Sequence, residues 1–443
     1  MIVLGIETSC DETSVGIVEI DSAQNCRLLA NVVATSLDLH KVYGGVVPEI
    51  AARSHIESMT AVVEEALKQA FDLRVKDDGS LRTQNSKPIT SRIQDPNSQI
   101  YHDAWNNIDA IAVTYGAGLG GSLLVGVMTA RTLAIAKNKP LYAVNHVMGH
   151  VYANFITEIG HLRTKNSKLR TAHLGGKEYA LPSSAPQFPM LAVIVSGGHS
   201  QLALFKGHFD YELLGKTRDD AIGEAYDKVA KITGLPYPGG PSVDMAAKNG
   251  DPYRYQLPKP KLGSIRDLGP QSSELRTAKL QDPSSNYDFS FSGLKTAVLR
   301  LAQAEIGEDF TFPSFKIAER LTEQQRNDIA ASFQRVSIEI IVDKVVQAYQ
   351  EFKPKSVVLA GGVAASPLLR STLEERLMDL RSQNTDLGTA KLQDPSSEIL
   401  QYPDMKLCTD NGAMIATLGC FMALLGQPAA DPYSLEIAPN LKM

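Results

Sequence analysis

Apolar positions along this chain fall into one phrase that is written twice. Ile2–Ile6 and Thr13–Ile20 are short, apolar and rich in β-branched residues, and the polar stretch Thr8–Glu12 joins them, which predicts two strands and a tight turn. A third strand is expected over Leu28–Ser36. A long helix follows from Pro48 through Ala70, with proline where a first helical turn tolerates it and Glu49 favourable to the dipole. Ile108–Thr114 then reads as a strand, Gly116–Gly121 as a glycine turn, Ser122–Lys137 as a helix and Leu141–Val144 as a buried strand. Near Met190 the phrase resumes: strand Leu191–Val195, small polar turn Ser196–Ser200, strand Gln201–Phe205, third strand Tyr211–Lys216 and a helix from Gly223. Tyr237–Asp244 is expected as a rigid turn, and Ser356–Leu359 as a buried strand running into Gly361–Ser366. Ile329, Phe333, Val336 and Ile340 mark the core face of a helix over Thr322–Glu351. The pattern predicts a duplicated α/β fold with a cleft between its halves.

Between these elements the chain turns polar. The halves are assigned to residues 1–150 and 189–443, with 161–188 an inserted connecting loop and a final helix free to pack back on the first lobe. Polar insertions are expected at about 76–102, 255–286 and 378–400. The phrase Thr-Ala-Lys-Leu-Gln-Asp-Pro-Ser-Ser stands identically at Thr277–Ser285 and Thr389–Ser397, at a spacing too irregular for a solenoid, so it marks related surface insertions. Arg163, Lys165, Lys168, Arg170 and Lys177 make the block 161–186 basic, and a solvated loop is the expectation there.

Length and composition then narrow the class. With 443 residues, 43% hydrophobic and 21% charged, the chain suits a soluble protein of two domains with substantial cores. A formal charge of -5 argues against holding nucleic acid by bulk electrostatics alone. The four cysteines show no Cys-x-x-Cys pair, no apolar run is long enough to span a membrane, and no signal segment opens the chain, so a cytoplasmic protein is expected.

The chemistry concentrates in a few turns. His146 and His150 stand four apart, a spacing that puts both imidazoles on one helix face and suits a metal ion, although a third ligand has to come from elsewhere. The turn Thr8–Thr13 gathers hydroxyls and backbone N–H groups with the carboxylates of Asp11 and Glu12; a surface hairpin with a polar tip is the alternative. Gly116–Gly121 carries the letters of a dinucleotide fingerprint, but no Asp or Glu occurs from Ala110 to Thr157 to bind a ribose. A nicotinamide enzyme is therefore excluded, and the glycines are read as a close approach to a ligand or a neighbouring element. Gly197 and Gly198 can turn backbone amides toward an anion. Asp227 and Asp244 flank glycine turns and are candidates for ligand hydroxyls, and Asp410, ahead of the last helix, is an N-cap by position.

Seven stretches in order resemble the bacterial-type TsaD family of tRNA adenosine threonylcarbamoyltransferases: Gly5–Thr13, Tyr43–Glu49, Asn145-His146 with His150, Val195–His199, Tyr237–Pro241, Phe289–Thr296 and Cys408–Ala413. The resemblance implies a duplicated actin-like ATPase (ribonuclease H-like) fold of two lobes. It also implies transfer of threonylcarbamoyl from threonylcarbamoyl-AMP to the N6 amine of adenosine 37 in tRNAs that read codons starting with A. By that resemblance His146, His150 and Asp410 hold one divalent metal, Fe(2+) with Zn(2+) as the alternative. Ile194, Val195, Ser196, Gly197, Gly198, Asp227, Gly240, Asp244 and Ser366 would contact the adenylate or ATP; Ser366 stands where the family has asparagine and loses the amide's paired donor and acceptor. Asp11 and Glu12 are the candidates for proton removal or tRNA placement. The implied partners are tRNA, the smaller paralogue TsaB, the ATPase subunit TsaE and a separate synthase that supplies the adenylate. Two other readings stand beside it: a non-catalytic nucleotide-binding scaffold, and a metallopeptidase, which Val147 disfavours because a zincin helix has glutamate there.

Overall fold

The computed structural model describes residues 1–71, 74–75, 81–82, 103–160, 170–260, 286–385 and 399–443. Both copies of the nine-residue phrase and most of the three polar insertions lie outside the described residues. The chain forms two compact units, one of Met1–Ala185 with Tyr402–Met443 and the other of Pro186–Gln401.

The first unit opens with an antiparallel meander of β1 (Ile2–Glu7), β2 (Glu12–Ile20) and β3 (Cys26–Thr35), in which Gly5 lies opposite Gly16. α1 (Leu37–Lys41) and α2 (Pro48–Phe71) follow. β4 (Ala110–Gly116) runs parallel to β1, α3 (Gly120–Lys137) crosses back, and β5 (Leu141–Asn145) runs parallel to β4. α4 (His146–Tyr152) begins on the next residue, and β6 (Ile156–Ile159) adds to the far edge, giving the order β5-β4-β1-β2-β3-β6. Strand side chains alternate between faces. Leu4, Ile6, Val15, Ile17, Ile111 and Val113 therefore point one way, into a core shared with Met59, Val62 and Ala66 of α2 and Val127, Ala130 and Ala134 of α3. The stretch expected as a connecting loop contains a hairpin, β7 (Arg170–Leu174) and β8 (Lys177–Leu181), in which Tyr179 and Leu181, two apart and so on one strand face, are both buried.

The second unit repeats the plan. β9 (Met190–Val195), β10 (Ser200–Gly207) and β11 (Asp210–Lys216) form the meander, and α5 (Ile222–Thr233) follows. Tyr237–Asp244 is not a turn throughout: α6 (Gly239–Ala247) starts inside it, since Pro241 sits in a first helical turn whose N–H groups need no intrahelical partner. α7 (Ser292–Glu305) and the long α8 (Glu323–Phe352) come next, α8 opened by a capping box between Thr322 and Gln325. β12 (Ser356–Ala360) runs parallel to β9, and α9 (Pro367–Thr385) extends as a helix into the stretch expected as a polar insertion from about 378. β13 (Leu400–Gln401) completes the order β11-β10-β9-β12-β13. That is the order β3-β2-β1-β4-β5 of the first unit, so the duplicated α/β fold expected from the repeated phrase is present.

The chain then returns to the first unit as α10 (Met405–Cys408) and α11 (Gly412–Leu424). α11 covers the sheet face opposite α2 and α3, and it sits on main chain rather than on side chains. A Cβ at Gly5 would lie 2.3 Å from the backbone N of Ala416, and one at Gly16 would lie 2.1 Å from that of Ala413. Glycine on both strands is what permits this approach.

Candidate functional site

The helix α4 is seven residues long, so its ends matter more than its propensity. Asn145 caps it, its side-chain oxygen accepting the N–H groups of Val147 at 2.9 Å and Met148 at 3.1 Å. The same side chain donates to the carbonyl of Lys442, and Ala438 and Pro439 bond to Tyr115 and Gly118, so the C-terminal segment straps the glycine turn and the start of α4. Gly118 approaches Ser9 so closely that a Cβ would meet its carbonyl oxygen at 2.6 Å. Of the two uses expected for those glycines, contact with a neighbouring element is the one seen.

His146 and His150 are 7% and 1% exposed, with ring centroids 4.7 Å apart. Nε2 of His146 lies 3.5 Å from Oδ1 of Asp410, and Nε2 of His150 lies 3.2 Å from the same oxygen. One ligand atom from each of the three residues falls within 4.8 Å of the others, a group that can hold a metal ion. Asp410 does not cap α11. Asn411 does, accepting the N–H of Met414 at 2.9 Å, and the Asp410 carboxylate is thereby left to face the histidines. The backbone contacts of Gly5, Gly16 and Gly412 set how far α11, and with it Asp410, stands from α4; Gly149 of α4 in turn fits against Ile415.

Two residues stand behind His146: Ser9, expected as one of the hydroxyls of the Thr8–Thr13 turn, and Glu7, to which the sequence pattern gave no role. Glu7, fully buried, places Oε2 3.2 Å from Nδ1 of His146, and Oγ of Ser9 lies 3.1 Å from the same nitrogen. Glu7 also accepts from the N–H of Ser9 and the hydroxyl of Thr114, both at 2.5 Å. The signal was a carboxylate at the end of an otherwise apolar strand, where an unpaired charge would be costly.

The donors fit a metal. Both ring nitrogens of His150 are buried with no hydrogen bond of good geometry among the described residues, a costly state for a polar group that a cation at Nε2 relieves. His146 is oriented as metal-bound histidines are, one nitrogen held by a carboxylate and the other facing the centre. Burial opposes a charged His146 ring, yet the carboxylates of Asp410 and Glu7 outweigh it and push its pKa up to about 9. Burial raises the Glu12 carboxyl, and the nearby Asp410 and Asp11 carboxylates add to this, to about 10.

The remaining candidates belong to the second unit. After β9, the N–H of Ser196 bonds to the carbonyl of His199, closing a turn in which a Cβ on Gly197 or Gly198 would meet nothing within 4 Å. Ile194 and Val195 are buried in β9 and lead into this turn. Gly223, starting α5, packs against Gly197, and Gly361, with φ of 91°, packs against the Val195 carbonyl. Asp227 accepts the N–H of Gly239 at 2.7 Å, and burial holds its carboxyl above the ordinary range. Gly240 faces open space, and Asp244 accepts from the amide of Gln334 at 2.8 Å. Ser366 ends the short turn after Gly361, its hydroxyl buried without a partner among the described residues.

The fold and site define a duplicated α/β protein carrying a buried two-histidine, one-aspartate group of the metal-holding kind. The chain belongs to the TsaD family, tRNA N6-adenosine threonylcarbamoyltransferase, whose model matches residues 27–77, 102–163 and 171–417. The tRNA N6-adenosine threonylcarbamoyltransferase of Thermomicrobium roseum is 38% identical over 433 residues, covering 96% of this chain and 93% of that protein. That of Symbiobacterium thermophilum is 39% identical over 421 residues, covering 95% and 91%. That of Dehalococcoides mccartyi strain CBDB1 is 38% identical over 443 residues, covering 100% and 99%.

Proposed function

We propose that this chain transfers the threonylcarbamoyl group of threonylcarbamoyl-AMP to the N6 amine of an adenosine in tRNA, at adenosine 37. The observation that carries the reading is family membership over nearly the whole chain together with the intact His146, His150 and Asp410 group. In the reaction the amine nitrogen forms a bond to the carbamoyl carbon, the bond from that carbon to the phosphate oxygen breaks, AMP leaves, and the amine loses a proton. The mixed anhydride is already activated, so the protein's task is alignment and stabilisation of developing negative charge. His146, His150 and Asp410 would hold one divalent metal, Fe(2+) or Zn(2+), which when bound supplies Lewis-acid stabilisation of that charge. Glu7 and Ser9 fix the His146 ring so that its Nε2 is the ligand atom.

In this reading the amides of Gly197 and Gly198 hold the adenylate phosphate, in a turn that Ser196 closes through its own N–H, with Ile194 and Val195 beneath them. Asp227, Gly240, Asp244 and Ser366 take the nucleoside and threonyl groups. Asp11, or Glu12 in its ionised form, receives the proton from the amine. A chain of net charge -5 acting on tRNA needs partners, and we assign that role to a TsaB-like paralogue and a TsaE-like ATPase, with a separate synthase supplying the adenylate, all in the cytoplasm. The test is reconstitution: chain, partners, threonylcarbamoyl-AMP and unmodified tRNA are incubated and the nucleosides weighed by mass spectrometry. Adenylate binding without modified adenosine would return the chain to a non-catalytic scaffold.

A further inference from the structure

The turn between β1 and β2 is held more firmly than a hairpin tip needs. The carbonyl of Cys10 accepts two hydrogen bonds, from Nε2 of His55 at 3.0 Å and from Oγ of Ser122 at 3.1 Å. The carbonyl of Asp11 also accepts two, both from Ser36: its backbone N–H at 3.1 Å and its hydroxyl at 2.8 Å. These two peptide units flank Asp11. The backbone that aims the Asp11 and Glu12 carboxylates is therefore fixed on both sides.

Strand register brings Ser36 there. Glu12 pairs with Thr35, so the next residue falls opposite Asp11. Ser36 is also the N-cap of α1, where a serine hydroxyl ordinarily accepts the helix's own N–H groups for about 1 kcal/mol. It makes no such bond. Its hydroxyl is turned to Asp11 instead, and the helix forgoes its cap.

The polarity of the bonds behind Ser36 can be worked out. The backbone N of Val47 can only donate, and it lies 3.2 Å from Nδ1 of His40, so that nitrogen carries no proton. Nε2 of the neutral ring then bears the hydrogen and donates to Oγ of Ser36 at 3.1 Å, which leaves the serine's own proton for the Asp11 carbonyl. His55 obeys the same logic. Its Nε2 donates to Cys10, so its Nδ1 accepts the hydroxyl of Thr13 at 2.8 Å. His40 and His55 are both fully buried.

We propose that Ser36, His40 and His55 are positioning residues for the transfer, holding the main chain that aims Asp11 and Glu12, with the relay Val47–His40–Ser36–Asp11 running from the half-buried Val47 to the Asp11 carbonyl. The inference rests on the reading above that Asp11 or Glu12 serves the transfer.

The test compares His40→Asn, His40→Gln and Ser36→Ala with Asp11→Asn and Glu12→Gln in the complete reconstituted mixture. Asparagine keeps the near acceptor for Val47 but cannot reach Ser36; glutamine keeps the far donor. We expect His40→Asn and Ser36→Ala each to lower kcat roughly 10–100-fold, the scale of an ångström-sized misplacement. KM and bound metal should stay near wild type, Tm should fall by only the roughly 2–12 °C that a lost buried hydrogen bond costs, and His40→Gln should recover kcat to within about threefold. The double variant Ser36→Ala with His40→Asn should be no worse than either alone, as one relay demands. Wild-type kcat in both Ser36→Ala and His40→Asn, with Asp11→Asn or Glu12→Gln impaired, overturns the positioning role alone. Wild-type kcat in both carboxylate variants instead overturns the reading on which it rests.

Discussion

Replacing Gly16 with alanine is the sharpest probe of how this site is spaced. The added Cβ would stand 2.1 Å from the backbone N of Ala413 and 2.4 Å from its Cα, whereas ordinary contact begins near 3.4 Å. Its three nearest neighbours are all main chain of Gly412 and Ala413, so no side chain can swing away to relieve the contact. The start of α11 has to retreat by about 1.3 Å, or the strand has to bend by as much. Overpacking of this kind costs about 1–3 kcal/mol, and contact with backbone puts it at the upper end. For a unit of this size that is a fall in Tm of about 2–4 °C per kcal/mol. Asp410 lies two residues before Gly412, and a metal tolerates ligand displacements of only about 0.2 Å. Bound metal should therefore be lost even though no ligand has changed. Scanning calorimetry and metal analysis of the purified variant read both effects. Gly45→Ala is the control, since its Cβ would meet nothing within 4 Å. A Gly16→Ala protein with full metal content and an unchanged Tm would refute the argument that backbone contact sets the ligand spacing.

Other perturbations act on single contacts. His150→Ala should abolish bound metal and transfer together, measured by metal analysis and nucleoside mass; transfer surviving in the metal-free variant would remove the metal from the mechanism. Glu7→Gln leaves the ligands in place but weakens the group that orients His146, so metal affinity should fall about 10–100-fold in a competitive chelator titration. Asn145→Ala removes the acceptor of two helix N–H groups and should cost about 1 kcal/mol, seen as a lower urea midpoint. Burial holds the His55 pKa below 6.5, so the unfolded chain takes up the proton first: stability is intact above pH 6.5 and declines as the pH falls through the lower folded value. Urea midpoints between pH 8 and pH 5.5 should show a slope that His55→Gln reduces.

The strands and long helices were legible because burial imposes a period. β1, β2, β9 and β12 are apolar runs between polar turns, and α8 shows its core face at helical spacing. The two imidazoles were legible for the same reason, since four residues make one turn. The third ligand was legible only through the family resemblance, not from local pattern. Asp410 looked like a helix cap, and only Asn411 taking that role frees it. Glu7 was hidden inside a strand pattern, and its partner His146 lies 139 residues away, a separation that no local rule spans. The glycines were legible only in part. Gly116–Gly121 reads as a close approach to a ligand or a neighbouring element, and the neighbour is Ser9 pressing on Gly118, while Gly5 and Gly16, in strands that seemed ordinary, admit a helix backbone. Close approach between distant segments is a property of the fold, and a sequence records only that a side chain is missing.

The return of α11 to the first unit also has a bearing on synthesis at the ribosome. One face of the first sheet, with Val3, Gly5, Gly16, Val18 and Ala112, waits for a helix that begins at Gly412, after the entire second unit. At roughly 5–20 residues per second, the nascent chain spends roughly 10–50 s with that apolar face bare. A holdase chaperone has that interval in which to act, and a ribosome stalled within the second unit would release an aggregation-prone fragment rather than a folded first domain.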